Sequence, residues 1–273
     1  MSANLLALGA IALWATLASL ALALAHVPPF LLTGLGLVIG SIPAWPLLRD
    51  WRVPASTLLL GIYGLFGFHF LLFIALRHAP AVQANLVNYL WPLFIVVLAP
   101  LFLPGVRLRR VHVVAALVGF VGAGLAIVGG RDLTGGFAWG YVPALGSALI
   151  WASYSLLTKR VAAFPTAAIG LFGLVSGLLS LACHALLEPP VSLTLRDGVL
   201  LAALGLGPLG AAFYLWDAAL KRGDPRRIGI LSYLTPLLST LLLVLTTGRS
   251  PGLWVVVAAV LIVGAAVVGL RAR

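Results

Sequence analysis

The sequence predicts an all-α polytopic membrane protein, with ten spanning helices arranged as an inverted 5+5 repeat. Three observations predict it. The 273 residues are 62% hydrophobic and 8% charged, and mean hydropathy is +1.16, whereas a soluble domain is roughly 25% charged. The apolar residues fall into ten runs, each near the ~20 residues that cross a bilayer. The pattern also recurs: Leu76 to Leu93 aligns without a gap on Leu220 to Leu237, 144 positions later, so that Asn88-Tyr-Leu-Trp-Pro92 becomes Ser232-Tyr-Leu-Thr-Pro236.

The first span, 4–25, has no charged stretch before it and reads as a helix that stays in the membrane, not as a cleaved signal. The second, 30–48, follows Pro28-Pro29 and stops at Arg49-Asp50-Trp51-Arg52. The third, 55–76, ends at Arg77-His78, and the fourth, 81–103, ends ahead of Arg107 to Arg110. The fifth, 111–129, ends at Arg131-Asp132. The sixth, 138–158, restates the first: Ala7 to Thr16 (ALGAIALWAT) matches Ala144 to Ser153 (ALGSALIWAS). The seventh, 166–187, runs into Glu188-Pro189-Pro190, and the eighth, 198–219, carries Gly205 where the third carries Gly61. The ninth, 227–247, ends before Arg249, and the tenth is 252–270.

These spans divide into two units, 1–130 and 131–273, of five helices each. Five is odd, so the second unit starts from the opposite side and the repeat is inverted. Thirteen of the seventeen Lys and Arg residues fall on one side of the predicted membrane and four on the other. The rich side is cytoplasmic, which puts both termini in the cytoplasm. Glycine pairs such as Gly36 and Gly40 have the spacing that lets helices approach closely. The cluster Gly205, Gly207, Pro208 and Gly210 also has the composition of a hinge.

Several function classes are excluded. The net charge of +11 resides in the loops, so it reports membrane orientation and gives no reason to expect a nucleic-acid partner. Cys183 is the only cysteine, which precludes an internal disulfide. The chain carries no HExxH, GxSxG or P-loop pattern, and an enzyme is not expected. The five histidines lack ligand spacing, so neither a metal nor another cofactor is expected. No obligate protein partner is evident; the partners expected are the lipid bilayer and a small molecule.

The candidate site centres on the fourth span. Asn85, Asn88, Tyr89 and Pro92 share a helical face, and a buried amide without a partner costs ~4–8 kcal/mol on a cyclohexane scale. This face is therefore expected toward other helices or a cavity, with Trp91 beside it and Pro92 kinking the helix and freeing a carbonyl. Candidate walls opposite are Trp14, Phe68, Trp151, Tyr154, Tyr214 and Tyr233, with hydroxyls from Ser153, Ser155 and Ser232. His69 either lines the cavity or is a packed histidine bonded to a carbonyl. Asp217, four residues before Lys221, reads as half of a helical salt bridge. A ligand with an ammonium, a carboxylate and an apolar body suits this set. A phosphate ester does not, because no Lys or Arg reaches mid-membrane. The lack of a mid-membrane carboxylate favours a facilitator over a proton-coupled antiporter.

The two WA-containing openings, the Pro-Leu pairs at Pro92-Leu93 and Pro236-Leu237, and the Gly-rich fifth and tenth spans resemble the drug/metabolite transporter superfamily, EamA type, over the whole chain. Within it the fourth span, NYLWPLFIVVL, is most similar to the YddG group of aromatic amino acid exporters. That resemblance implies a bacterial inner-membrane exporter of neutral or aromatic amino acids working by alternating access. Many relatives carry Gly-Glu-Arg after the fourth and ninth spans; here Pro104-Gly-Val-Arg107 and Thr247-Gly-Arg249 lack the acid. Export of small organic cations or other metabolites, and a non-transporting scaffold, are the alternatives.

Overall fold

The computed structural model describes residues 1–128, 136–247 and 252–271. Among these residues the structure is helical, with no strand. Arg131, Asp132, Arg249, Arg273 and the boundary between the two predicted units lie outside the described residues.

The helices are α1 (Ala3–Ala15), α2 (Leu17–Ala23), α3 (Pro29–Ser41), α4 (Ala55–Ile62) and α5 (Phe68–His78). They continue with α6 (Ala81–Asn88), α7 (Trp91–Phe102), α8 (Arg110–Val128), α9 (Tyr141–Leu157) and α10 (Ala168–Leu187). The remainder are α11 (Leu195–Leu206), α12 (Ala212–Arg222), α13 (Pro225–Leu231), α14 (Leu234–Thr247) and α15 (Leu253–Arg271). Eight stretches, some joining two of these helices, are long and apolar enough to cross a membrane. Tyr141–Leu157 is apolar but shorter, and α13 and α14 are separated at Ser232-Tyr233.

Local sequence explains the ends and interruptions. Thr194 and Asp197 form a reciprocal capping box, so α11 starts three residues earlier than its hydropathy predicts. Thr16 divides α1 from α2, its hydroxyl donating to the Leu13 carbonyl at 2.7 Å. Beyond α3 the chain tightens into 3-10 turns over Ile42–Trp51, where Pro43 and Pro46 stand.

Two interruptions are π turns, Tyr63–Gly67 between α4 and α5 and Gly207–Ala211 between α11 and α12. Their first residues are 144 positions apart, the spacing of the sequence repeat. The broken helices α6/α7 and α13/α14 follow the same spacing to within a residue. Here the structure corrects an expectation. Pro92 is not an interior kink; the helix has already ended at Tyr89-Leu90, and Pro92 sits in the first turn of α7, where a missing N–H costs nothing.

In packing, α3 lies on α10, α8 on α15, α1 on α12, and both α5 and α7 on α9. Glycine sets the closest approaches. A Cβ on Gly40 would fall 2.7 Å from the carbonyls of Gly205 and Leu209 and 2.8 Å from Gly210 Cα, so backbone meets backbone there. Glu188 stands in the loop that follows α10, as expected, and its side chain is buried. It accepts from the Phe30 and Leu31 amides at the start of α3, from Arg77, and pairs with His184. A carboxylate at a helix N-terminus, fed by an Arg, is a stable arrangement that ties together the ends of α3, α5 and α10.

Candidate functional site

Four helices bring aromatic rings to one point: Trp14 from α1, Trp91 from α7, Trp151 from α9, and Phe213 and Trp216 from α12. Trp14 is central, with ring centroids 6.3 Å from Trp91, 5.8 Å from Trp151, 6.0 Å from Phe213 and 5.1 Å from Trp216. Trp151 extends the cluster to Phe68 and Tyr154, each 5.4 Å away. Most pairs meet edge to face, the arrangement that the ring quadrupole favours.

Neighbouring carbonyls and a hydroxyl fix the polar edges of Trp14, His69 and Trp216. Trp14 Nε1 donates to the Pro208 carbonyl at 3.1 Å, and His69 Nδ1 donates to the Leu65 carbonyl at 2.6 Å. Pro208 and Leu65 lie in the two π turns, whose wider loops perturb the usual carbonyl pairing. Trp216 Nε1 donates to Ser155 Oγ at 3.1 Å. Gly64, also in a π turn, makes room for Tyr154, whose ring lies 2.3 Å from where a Cβ would stand. The result is a buried aromatic box in which the Trp14 and Trp216 indole N–H groups are committed, built from ring types that can stack on a flat apolar group and receive an ammonium.

The predicted residues divide between this box and other places. Trp91, Trp151 and Tyr154 belong to it, and all three are buried. His69 borders it, 6.4 Å from Phe213, and is carbonyl-bonded. Pro92 is buried at the start of α7, where Gly229 of α13 approaches its carbonyl. Asn88 is buried against α9, its amide oxygen 2.8 Å from Ser147 Oγ. Asn85 and Tyr89 are half-buried, with the Tyr89 amide bonded to the Asn85 carbonyl at the end of α6. Tyr214 points elsewhere, donating to the Gly40 carbonyl at 3.1 Å beside a cleft lined by Pro43, Ala44 and Thr166. Ser232 bonds its own helix at the Gly229 carbonyl, 2.6 Å away. Tyr233 is fully buried in a separate apolar cluster with Val96 and Ile230, its ring against Gly119 and Phe120.

Two box residues escaped the sequence reading, Phe213 and Trp216. Their signal was present: they stand at i and i+3, one aromatic stripe on α12, while Tyr214 lies a third of a turn away. Asp217 follows Trp216 and is buried, with Oδ2 taking Lys221 Nζ and Thr166 Oγ1, each at 2.6 Å. The predicted helical salt bridge is therefore present.

With this geometry in view, the sequence matches the EamA-like transporter family over residues 1–128 and again over 138–270. It is 45% identical over 284 residues to the aromatic amino acid exporter YddG of Ancylobacter novellus, covering 100% of this chain and 98% of that protein. It is 27% identical to the Escherichia coli K12 protein of the same name, covering 88% and 87%. A solved crystal structure with 45% identity superposes with a TM-score of 0.91, covering 97% of this chain and 95% of the other.

Proposed function

The chain belongs to the EamA-like transporter family, and from that premise we propose that it exports neutral and aromatic amino acids across a bacterial inner membrane by alternating access. It is a multi-pass membrane protein. The observation that carries the substrate class is the five-ring box of Trp14, Trp91, Trp151, Phe213 and Trp216. It offers an aromatic side chain stacking partners and an α-ammonium π faces, and relatives that bear the exporter name match this chain over most of its length.

We read ten spans in two inverted units with both termini cytoplasmic. In support, the family matches the chain twice, and the π turns repeat at 144 residues. The charge asymmetry of thirteen to four supports the orientation. A cysteine placed at 108 that is labelled from outside intact cells, while one at 188 is not, would overturn it.

The facilitator reading is supported by Asp217, the carboxylate next in sequence to the box, being engaged by Lys221 and Thr166. Labelled phenylalanine loaded into liposomes should leave down its gradient, and equally fast once the pH gradient is collapsed. Efflux that stops on collapse refutes the uncoupled mechanism. Absence of aromatic amino acid movement at any pH refutes the substrate class.

A further inference from the structure

Beyond the box, α9 and α12 continue toward the ends that carry Lys159 and Lys221. Side chains bridge the two helices at two levels, which act as rungs. The first is Trp216 Nε1 on Ser155 Oγ, which closes the box. Four residues on, about one helical turn, the second rung is Lys159 Nζ, which donates to the Leu220 carbonyl at 2.6 Å and to the Gly223 carbonyl at 2.8 Å.

This second rung forms one wall of a cleft of about 420 Å³. The lining that comes from the turn after α7 is apolar and includes Leu103 and Val106. Arg160, Asp224 and Arg226 complete the charged side. Asp224 is held by Arg226, whose guanidinium also reaches the Arg107 carbonyl. Burial pushes the Asp224 carboxyl up, but the hydrogen bonds and charge of Arg226 outweigh it and leave the group below its usual range. That carboxylate is therefore ionised and already paired. Burial holds the Lys159 ammonium below the ordinary lysine value, with Asp224 opposing. One proton of Lys159 remains beyond its two carbonyl bonds, and Arg160 stands exposed beside it. The cleft thus combines cationic and apolar lining and lies one turn from the box.

We propose that this cleft is a peripheral capture site for the transported amino acid. Its carboxylate is taken by Lys159 and Arg160, and its apolar side chain lies on Leu103 and Val106. An arriving carboxylate competes with the Leu220 and Gly223 carbonyls for Lys159, so occupation loosens the rung that ties the end of α9 to the end of α12. The site rests on the amino acid export reading above and deepens it, because it names the part of the substrate recognised first. The same oxyanion chemistry is offered by a lipid headgroup phosphate, and the test separates the two.

Initial rates of labelled L-phenylalanine uptake are measured in proteoliposomes of phosphatidylcholine alone, with wild type, Arg160→Lys, Arg160→Gln, Arg160→Glu and Lys159→Gln. Passive transport ties kcat/KM in the two directions together, so mixed orientation does not blur this ratio. Because Arg160 is exposed, its variants keep the fold, which size-exclusion elution checks. Rim charges act through encounter rates, so kcat/KM should hold in Arg160→Lys, fall roughly threefold in Arg160→Gln and roughly tenfold in Arg160→Glu. Lys159→Gln should fall furthest. An active wild type with Arg160→Glu within twofold of it overturns the capture site alone. A grading that appears only when phosphatidylglycerol is added assigns the cleft to lipid and also overturns it. Wild-type liposomes that move no aromatic amino acid overturn the export reading and the capture site with it.

Discussion

The two broken helices share a backbone plan and carry different side chains. In the first, α6 ends at Asn88 and α7 starts at Trp91. In the second, α13 ends at Leu231 and α14 starts at Leu234. Trp91 and its counterpart Thr235 are equally buried, both 6% exposed. Trp91 enters the aromatic box, whereas Thr235 Oγ1 finds no hydrogen-bond partner among the described residues. Asn88 bonds across to α9, whereas among the described residues Ser232 bonds only its own helix. Tyr233 fills an apolar cluster away from the box. His69 and its counterpart Phe213 differ likewise: their rings meet at 6.4 Å, but Phe213 packs on Trp14 and Trp151 whereas His69 packs on Phe68 and Phe73. The repeated feature is the interruption itself, while the chemistry is supplied unequally by the two halves.

The largest expected effect breaks the first half. Trp91→Ala removes a buried indole at about 3–5 kcal/mol and should reduce phenylalanine efflux more than tenfold. Trp91→Phe keeps a ring and should preserve most stability while lowering efflux severalfold. Thermal unfolding in detergent and liposome efflux together separate these outcomes. An efflux loss of the same size from Thr235→Val would cancel the asymmetry.

Ser155→Ala comes next. It strips the acceptor from the buried Trp216 indole N–H, and an orphaned donor costs about 1–3 kcal/mol. The melting temperature should drop, and a box loosened at its closing rung should transport with altered selectivity between tryptophan and phenylalanine.

Asn88→Ala should cost about 1 kcal/mol, as Ser147 retains the Ala144 carbonyl. Ser232→Ala should stay within about 0.5 kcal/mol, and comparing the two melting points tests whether only the first break is cross-braced. The smallest effect belongs to Thr235→Val, where an unpaired hydroxyl gives way to a methyl and stability should hold or rise slightly.

The elements were legible in the sequence because apolar runs of this density have few alternatives. Helical structure begins and ends within a few residues of most predicted limits, as at 81–103 against Ala81–Phe102. The breaks were legible in kind but not in place. Pro92 announced an interruption, yet a proline stops a helix most cheaply by starting the next one, so the break fell at Tyr89-Leu90. A face drawn through Asn85, Asn88, Tyr89 and Pro92 assumed one continuous helix, and the break divides those residues between an end and a beginning. Of the box, Trp14, Phe68, Trp91, Trp151 and Tyr154 were found, because aromatic residues deep within a span suggest a lined interior. Phe213 and Trp216 were missed because Tyr214, between them in sequence, carries the hydroxyl that a polar site calls for. Tyr233 was drawn in by analogy with Tyr89, and repeat symmetry does not guarantee a shared role.

The contact of Gly40 with the Gly205 and Leu209 carbonyls and Gly210 Cα has a consequence for variation. Elsewhere in the interior an enlarged side chain can be answered by a smaller neighbour, so sequences drift in compensating pairs. Here the opposing surface is main chain, which no second mutation trims. A saturation library at position 40, selected for function, should return one letter of the twenty, whatever background it is built in. The four-residue offset, Gly36, faces the Leu204 and Leu209 side chains and should admit alanine once leucine there is shortened.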